Sequence, residues 1–277
     1  MATNCFFYAI FQTMNNNQPI GIFDSGIGGL TVANAIKKAL PNESIIYFGD
    51  TKHLPYGEKS SRAINEYSKK ICDFLIKKNC KMIVIACNTA SSVAYQNIKE
   101  SCPDTTIVNV IDPVVRYLSK ETNSKKVGII GTKGTINSGV YSKKIKEKNP
   151  NTEVSTLATP LLAPMIEEGF INDTISQTVI NNYLENPALK GIEKIILACT
   201  HYPLIENIVK KFYNNKVEVI DSASQVANYV LHSLETGNLK SDQQPEYRFY
   251  VSDYTDSFEQ SAKFFFNENI HLEEVIL

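Results

Sequence analysis

Residues 83–91 read IVIACNTAS, and residues 195–203 read IILACTHYP. In both stretches an aliphatic run of strand length stops at Ala-Cys, and a polar, hydroxyl-bearing segment then leads into a helical pattern. An uninterrupted β-branched run of this kind is typical of a buried parallel strand. Ligands of open α/β sheets bind at the carboxyl ends of the strands. The repeat therefore predicts that Cys87 and Cys199 stand at the edges of two similar sheets and approach one reaction centre from two sides.

The composition is that of an ordinary globular protein. Its 277 residues suffice for one large domain or two modest ones, and contents of 43% hydrophobic and 21% charged residues are unexceptional. The formal net charge is −1 and no basic run is long, so nucleic acid is not expected as a partner. No apolar run approaches the length of a membrane-spanning helix, so a membrane is not expected either.

The cysteine pattern indicates free thiols. The six cysteines form neither a Cys-x-x-Cys pair nor a zinc-type spacing with histidine, so no metal site is expected. The chain is long and carries no secretory signal. A reduced, cytoplasmic setting is therefore predicted.

Strand–loop–helix units recur twice along the chain, and each set ends in one of the two Ala-Cys strands. We therefore predict an α/β fold of two similar Rossmann-like domains, with mainly parallel sheets and the active site in the cleft between them. The first domain comprises 19–114 plus 223–277, since the tail returns to pack on the first half. The second domain comprises 115–222. Residues 1–18 are expected to form a flexible N-terminal extension, with Met14 as the working start.

Other strand ends carry loops of possible functional use. A glycine-rich turn, DSGIGG at 24–29, lets the backbone approach a ligand closely and offers helix N–H groups to an anion. Its spacing does not fit the dinucleotide-binding G-x-G-x-x-G, and an acidic residue leads it, so a nucleotide site is not favoured. The Pro- and Gly-containing loop 51–57 could place Tyr56 over a site. A further strand is predicted over 105–111, ended by Asp112-Pro113.

Two thiols that face one carbon suit the inversion of that carbon. One base must remove hydrogen from one face of the carbon acid, and an acid must deliver hydrogen to the other face. A thiol can play either part, but only a small fraction of a free thiol is thiolate at neutral pH, so each thiol needs help from its neighbours.

Charged residues near both thiols can supply this help. Asp24 ends the strand that is expected to neighbour the strand of the first thiol. His201 follows the second thiol by two residues, and Glu167 or Glu168 could orient it. No lysine lies in these turns, so a pyridoxal Schiff base is not indicated and no cofactor is expected.

Several short motifs follow one another along the chain. They are DSGIGGLT at 24–31, GDT at 49–51, PYG at 55–57, ACNTA at 86–90, GT at 131–132 with Thr135, and CTHYPL at 199–204. In this order they resemble the cofactor-independent aspartate/glutamate racemase family, and the resemblance runs from residue 19 to residue 266. The chain departs from the family pattern at His53, where Arg is frequent, and at Asp112, where Glu is frequent.

The resemblance implies an isomerase that interconverts L- and D-glutamate by a two-base, two-cysteine mechanism and supplies D-glutamate for peptidoglycan synthesis. It implies glutamate as the small-molecule substrate, no cofactor, and a homodimer, since members are commonly dimers. The positions that match catalytic residues of the family are Cys87, Cys199, Asp24, His201 and Glu167, with Glu168 as the other possible match for the glutamate. The positions that match substrate-binding residues are Asp24, Ser25, Tyr56, Gly57, Asn88, Thr89, Thr200 and His201.

Other functions remain open at this point. A sister racemase, acting on aspartate or another amino acid, would share the fold, as would a related decarboxylase, which needs only one thiol. A Cys-His hydrolase would use Cys199 as nucleophile and His201 as base, but it leaves Cys87 without a role. Some members of the family bind DNA gyrase, and nothing in the near-neutral composition supports that reading.

Overall fold

The computed structural model describes residues 16–120 and 125–277. The strands are β1 (Ile20–Asp24), β2 (Ile45–Gly49), β3 (Met82–Ile85), β4 (Thr106–Asn109), β5 (Lys126–Gly131), β6 (Glu153–Ala158), β7 (Lys194–Ala198), β8 (Glu218–Asp221), β9 (Tyr247–Val251) and β10 (Leu272–Glu274). The α-helices are α1 (Leu30–Ala39), α2 (Ser61–Lys77), α3 (Asn88–Val93), α4 (Tyr95–Ser101), α5 (Ile111–Ser119), α6 (Lys133–Asn137), α7 (Val140–Lys148), α8 (Leu162–Glu167), α9 (Thr174–Leu184), α10 (Glu206–Phe212), α11 (Ser222–Thr236) and α12 (Asp256–Phe266). Four short 3₁₀ turns cover Thr51–His53, Tyr56–Glu58, Pro187–Leu189 and Tyr202–Ile205.

The strands form two sheets with the same central order. The first sheet runs β10-β9-β2-β1-β3-β4, and the second sheet runs β6-β5-β7-β8. Numbered from the first strand of each sheet, both contain the order 2-1-3-4, and every pairing among the described strands is parallel. The predicted α/β fold with two similar parallel sheets is therefore confirmed.

The thiol strands β3 and β7 hold the same place in their sheets. In chain order, each is the third strand of its sheet. It lies next to the first strand in chain order, at the point where the strand order reverses. In doubly wound folds the helices on either side of this point diverge and leave a crevice at the carboxyl ends of the strands. All residues of β3 and β7 are buried, as parallel strands covered on both faces must be. The two thiols therefore lie at equivalent crevices, one at the carboxyl edge of each sheet.

The tail of the chain lies against the first sheet. Strand β9 pairs in parallel with β2 over the full length of both strands, and helix α12 follows it. Strand β10 extends the sheet beyond β9 and was not predicted, because three residues are too few to show an alternating pattern. Helix α11 packs on α1 of the first sheet and also on α5. The division into two domains at residues 114 and 223 stays a prediction. Helix α5 runs across the first of these boundaries.

The strand predicted over 105–111 is shorter than expected. Strand β4 ends at Asn109, and α5 begins at Ile111. The side-chain Oδ1 of Asn109 accepts hydrogen bonds from the backbone N–H groups of Ile111 and Asp112, both at 2.8 Å, and so satisfies donors at the start of the helix. Pro113 fits the first helical turn, where no partner for its nitrogen is needed.

The predicted N-terminal extension falls mostly outside the described residues, which begin at Asn16 and so exclude Met14. In the ranges that the structure describes, no helix is both long and apolar enough to span a membrane.

Candidate active site

Cys87 is held at the start of a helix, just beyond the end of β3. It is the N-cap of α3, and its Sγ accepts a hydrogen bond from the Ala90 backbone N–H at 3.4 Å. The Ser25 hydroxyl lies 3.6 Å from the same sulfur. Burial, followed by the neighbouring charge of Asp24, raises the pKa of Cys87 to about 12, although the contacts with Ala90 and Ser25 act in the opposite direction. Without substrate, Cys87 is therefore a protonated thiol at neutral pH.

Asp24 lies at the end of β1, which pairs with β3 as the sequence predicted. Its side chain is fully buried, and Oδ2 accepts hydrogen bonds from the N–H groups of Gly26 at 3.2 Å and Gly29 at 3.0 Å. The Thr200 hydroxyl, which follows the second thiol strand, lies 3.5 Å from Oδ1. Burial raises the pKa of Asp24, while the charge of His201 lowers it. One carboxylate thus lies beside both thiol turns.

Cys199, His201 and Glu167 form a chain of contacts on the other side. Sγ of Cys199 lies 3.6 Å from Nδ1 of His201, and Nε2 of His201 lies 2.7 Å from Oε1 of Glu167. Burial lowers the pKa of His201, but the contacts with Cys199 and Glu167 raise it, and the net effect places it well above its ordinary value. A protonated His201 places a positive charge beside Sγ of Cys199. Of the two glutamates left open by the sequence, the structure places Glu167 against His201.

The turn after Cys87 is hydrogen-bonded to residues that follow β5, the first strand of the second sheet. The Thr89 hydroxyl lies 2.9 Å from the hydroxyl of Thr132, the N-cap of α6, and 3.1 Å from that of Thr135 in α6. The Tyr141 hydroxyl of α7 donates to Oδ1 of Asn88 at 2.7 Å. These bonds join the carboxyl ends of the two sheets across the single crevice that lies between them.

The loop after β2 reaches the same region. The Tyr56 hydroxyl donates to Oδ2 of Asp50 at 2.6 Å, and Asp50 also accepts from the Ser252 hydroxyl at 2.7 Å. A Cβ at Gly57 would lie 2.9 Å from Cβ of Thr132, so the loop backbone packs directly on the second sheet's first turn. The Tyr56 hydroxyl is thus hydrogen-bonded to Asp50. The next residue, Gly57, contacts the side of the crevice that belongs to the second sheet.

The sequence-derived site residues therefore converge, and some residues around them were not singled out. Asp50 belongs to the GDT motif at 49–51 but was given no role, although it carries the same signal as Asp24, a carboxylate at the carboxyl end of a buried strand. Tyr141 lies on a short, lysine-rich helix and has no sequence signal beyond being an aromatic residue there. In the part of the chain that the structure describes, no group of three or more His, Cys, Asp or Glu side chains is arranged to hold a metal ion.

The chain is similar to known proteins over most of its length. A family model described as Asp/Glu/Hydantoin racemase matches residues 27–230. The glutamate racemase of Geobacter metallireducens is 41% identical over 241 residues, which cover 86% of this chain and 89% of that protein. The crystal structure of glutamate racemase from Francisella tularensis in complex with D-glutamate is 40% identical, covers 94% of this chain and 98% of that chain, and superposes with a TM-score of 0.88.

A second solved structure agrees with the first. Glutamate racemase isoform RacE1 from Bacillus anthracis is 33% identical, covers 95% of this chain and 99% of that chain, and gives a TM-score of 0.90. The family match extends across both thiol strands, and these relatives align over nearly their whole lengths. The chain therefore belongs to the Asp/Glu/hydantoin racemase family.

Proposed function

We propose that the chain interconverts L- and D-glutamate by a two-base mechanism and supplies D-glutamate for peptidoglycan synthesis. The observation that carries the mechanism is the pair of thiols at equivalent strand ends of two sheets, each with its own polar support. The substrate is taken from the relatives, which include a glutamate racemase solved with D-glutamate. Cys87 and Cys199 are the acid and the base, one on each face of the substrate carbon.

The two thiols have different environments, which suggests how the reaction starts. His201, hydrogen-bonded to Glu167, places a positive charge beside Cys199, which suits this thiol to act as the base. Burial and the charge of Asp24 keep Cys87 protonated. With L-glutamate bound, the thiolate of Cys199 removes the α-proton, and the thiol of Cys87 delivers a proton to the opposite face. The reverse reaction exchanges the two roles.

Substrate recognition is assigned to polar groups around the crevice. Hydroxyl and amide groups near the start of α3 and after β7 are donors suited to carboxylates, and free N–H groups at a helix start favour an anion. The residues that we assign to binding are Asp24, Ser25, Tyr56, Gly57, Asn88, Thr89, Thr200 and His201.

Circular dichroism of each glutamate enantiomer tests the proposed reaction. With purified protein and no added cofactor, the signal of L-glutamate and that of D-glutamate should both decay to zero. Prior dialysis against a chelator and a carbonyl reagent should leave the rate unchanged, because the proton transfers need only side chains of the chain. Aspartate is assayed in parallel. Turnover of aspartate without turnover of glutamate would identify the sister racemase, and turnover of neither would refute the proposal.

The setting and assembly are further parts of the proposal. The cysteines that the structure describes are free, which suits the reducing cytoplasm. A homodimer is proposed from the family pattern, and light scattering of the purified protein should give twice the chain mass. A monomer mass would remove the dimer and leave the reaction intact.

Gly28 provides a test of how closely the two sides of the crevice must meet. A Cβ at Gly28 would lie 2.4 Å from Cε1 of His201 and 2.7 Å from Oγ1 of Thr200, so both side chains would have to move. We expect Gly28→Ala to lower kcat/KM for glutamate by about 100-fold, because a displacement of roughly 1 Å at reacting groups costs about that much. Steady-state kinetics would measure the loss.

Gly26→Ala is the matched control for this substitution. A Cβ at Gly26 meets its nearest heavy atom, in Leu54, at 3.5 Å, which is an ordinary contact. Its effect on kcat/KM should be much smaller than that of Gly28→Ala. Equal losses in the two variants would show that the turn, and not the contact with His201, determines the effect.

A further inference from the structure

Tyr141 links the two sides of the crevice at the residue that follows the first thiol. Its side chain is 3% exposed and lies on α7, which follows the second sheet's first strand. Asn88, which is 2% exposed, is the first residue of α3 and comes directly after Cys87. The hydrogen bond from the Tyr141 hydroxyl to Oδ1 of Asn88 measures 2.7 Å and joins residues 53 positions apart.

This bond fixes which end of the Asn88 amide donates. A phenol that donates to Oδ1 holds the carbonyl end toward α7, so Nδ2 points the other way and lies 3.4 Å from the Ser222 hydroxyl. An amide nitrogen has two hydrogens, and only one can serve Ser222. The other remains available as a donor for a bound carboxylate.

The position of Tyr141 also relates it to the second thiol. Burial raises the pKa of Tyr141, and the charges of Asp112 and Cys199 raise it further. The hydroxyl therefore stays protonated and keeps donating through the neutral range. The hydroxyl thus remains a donor to Asn88, the residue that follows Cys87.

We propose that Tyr141 is a positioning residue for glutamate racemisation, whose hydroxyl holds the Asn88 amide with Nδ2 as the donor for a substrate carboxylate. The inference rests on the proposed function. Without the hydroxyl, the amide can turn over and present its carbonyl oxygen to the carboxylate, which repels it. Loss of Tyr141 should therefore weaken substrate binding more than it slows the proton transfers.

Tyr141→Phe tests the inference, because it removes one oxygen and keeps the packing of the ring. We expect KM for glutamate to rise about tenfold, which is the size of one lost buried hydrogen bond, with a much smaller change in kcat. Tyr213→Phe is the matched control. Its hydroxyl donates to the Leu184 carbonyl at 3.4 Å, away from both thiols, and its removal should leave KM unchanged.

A double-mutant cycle separates positioning from a general structural effect. If Tyr141 acts through Asn88, then Tyr141→Phe should have little further effect on kcat/KM in an Asn88→Ala background. An unchanged KM in Tyr141→Phe, or the same fold loss in both backgrounds, would refute the inference while the parent protein still turns over glutamate. Absence of turnover by the parent protein would refute the proposed function, and this inference would fall with it.

Discussion

Cys87→Ala and Cys199→Ala are each expected to lose racemisation of glutamate by about 10⁴-fold, the upper end of what a general acid or base contributes. In the proposed mechanism each turnover needs both thiols, because one removes the proton and the other returns one to the opposite face. Circular dichroism of L- and D-glutamate measures the loss. A variant with one thiol that racemises at a near-normal rate would contradict the two-base mechanism.

Each of the two variants should react with a different enantiomer of a suitable substrate analogue. A glutamate analogue with a leaving group on Cβ needs only removal of the α-proton, after which the Cβ bond breaks and the enamine hydrolyses to a keto acid and ammonia. Cys87→Ala retains Cys199 and should eliminate from the L-analogue, whereas Cys199→Ala retains Cys87 and should eliminate from the D-analogue. If both variants preferred the same enantiomer, the assignment of one thiol to each face would be wrong.

The pH dependence of elimination gives a further check on Cys87. Only the thiolate removes a proton, and burial together with the charge of Asp24 raises the pKa of Cys87 to about 12. Elimination from the D-analogue by Cys199→Ala should therefore increase with pH, by about tenfold per unit below that pKa. Cys102→Ser serves as the control. The Cys102 thiol lies between α2 and α4, so its replacement should affect the stability of the fold at most.

Lys81→Met is expected to destabilise the fold by about 3–5 kcal/mol, because it leaves a buried carboxylate without its partner. Nζ of Lys81 lies 2.6 Å from Oε2 of Glu43, and the two side chains are 0% and 1% exposed. The same nitrogen donates to the carbonyl oxygens of Asn16 at 2.5 Å and Leu239 at 2.7 Å. The ammonium thus joins the start of the described chain, the residues before β2 and the segment after α11. Urea unfolding followed by far-ultraviolet circular dichroism would measure the loss.

Three further variants test this explanation. Glu43→Gln should destabilise the fold as well, whereas Lys81→Met combined with Glu43→Leu should recover much of the loss, because no unpaired charge then remains buried. Arg62→Gln breaks an exposed pair with Glu66 and should not shift the unfolding midpoint measurably. If Lys81→Met behaved like Arg62→Gln, the buried pair would have no special role in stability.

The sequence by itself determined the α/β class, the duplication and the placement of both thiols at strand ends. These features depend on local signals. Aliphatic runs of strand length mark buried parallel strands, and the residue after such a run must lie at the carboxyl edge of the sheet. The family resemblance then gave the reaction, because its motifs appear in order along one chain.

Local patterns failed where an element is short or its end depends on a side chain. Strand β10 has three residues, and the start of α5 is set by the Asn109 side chain rather than by hydrophobic spacing. The choice between Glu167 and Glu168 also could not be made from sequence, since neighbouring residues on a helix end point in different directions.

Only the tertiary structure decided which distant residues meet. Glu167 and His201 are 34 positions apart, and Asn88 and Tyr141 are 53 apart. Such pairs leave no periodic signal, because their geometry comes from how two sheets and their helices pack and not from either segment alone. The buried Lys81–Glu43 pair is of the same kind, for a charge at the end of a polar segment gives no sign that folding will bury it. The sequence thus placed the two thiols, and the packing of the two sheets decided which side chains surround them.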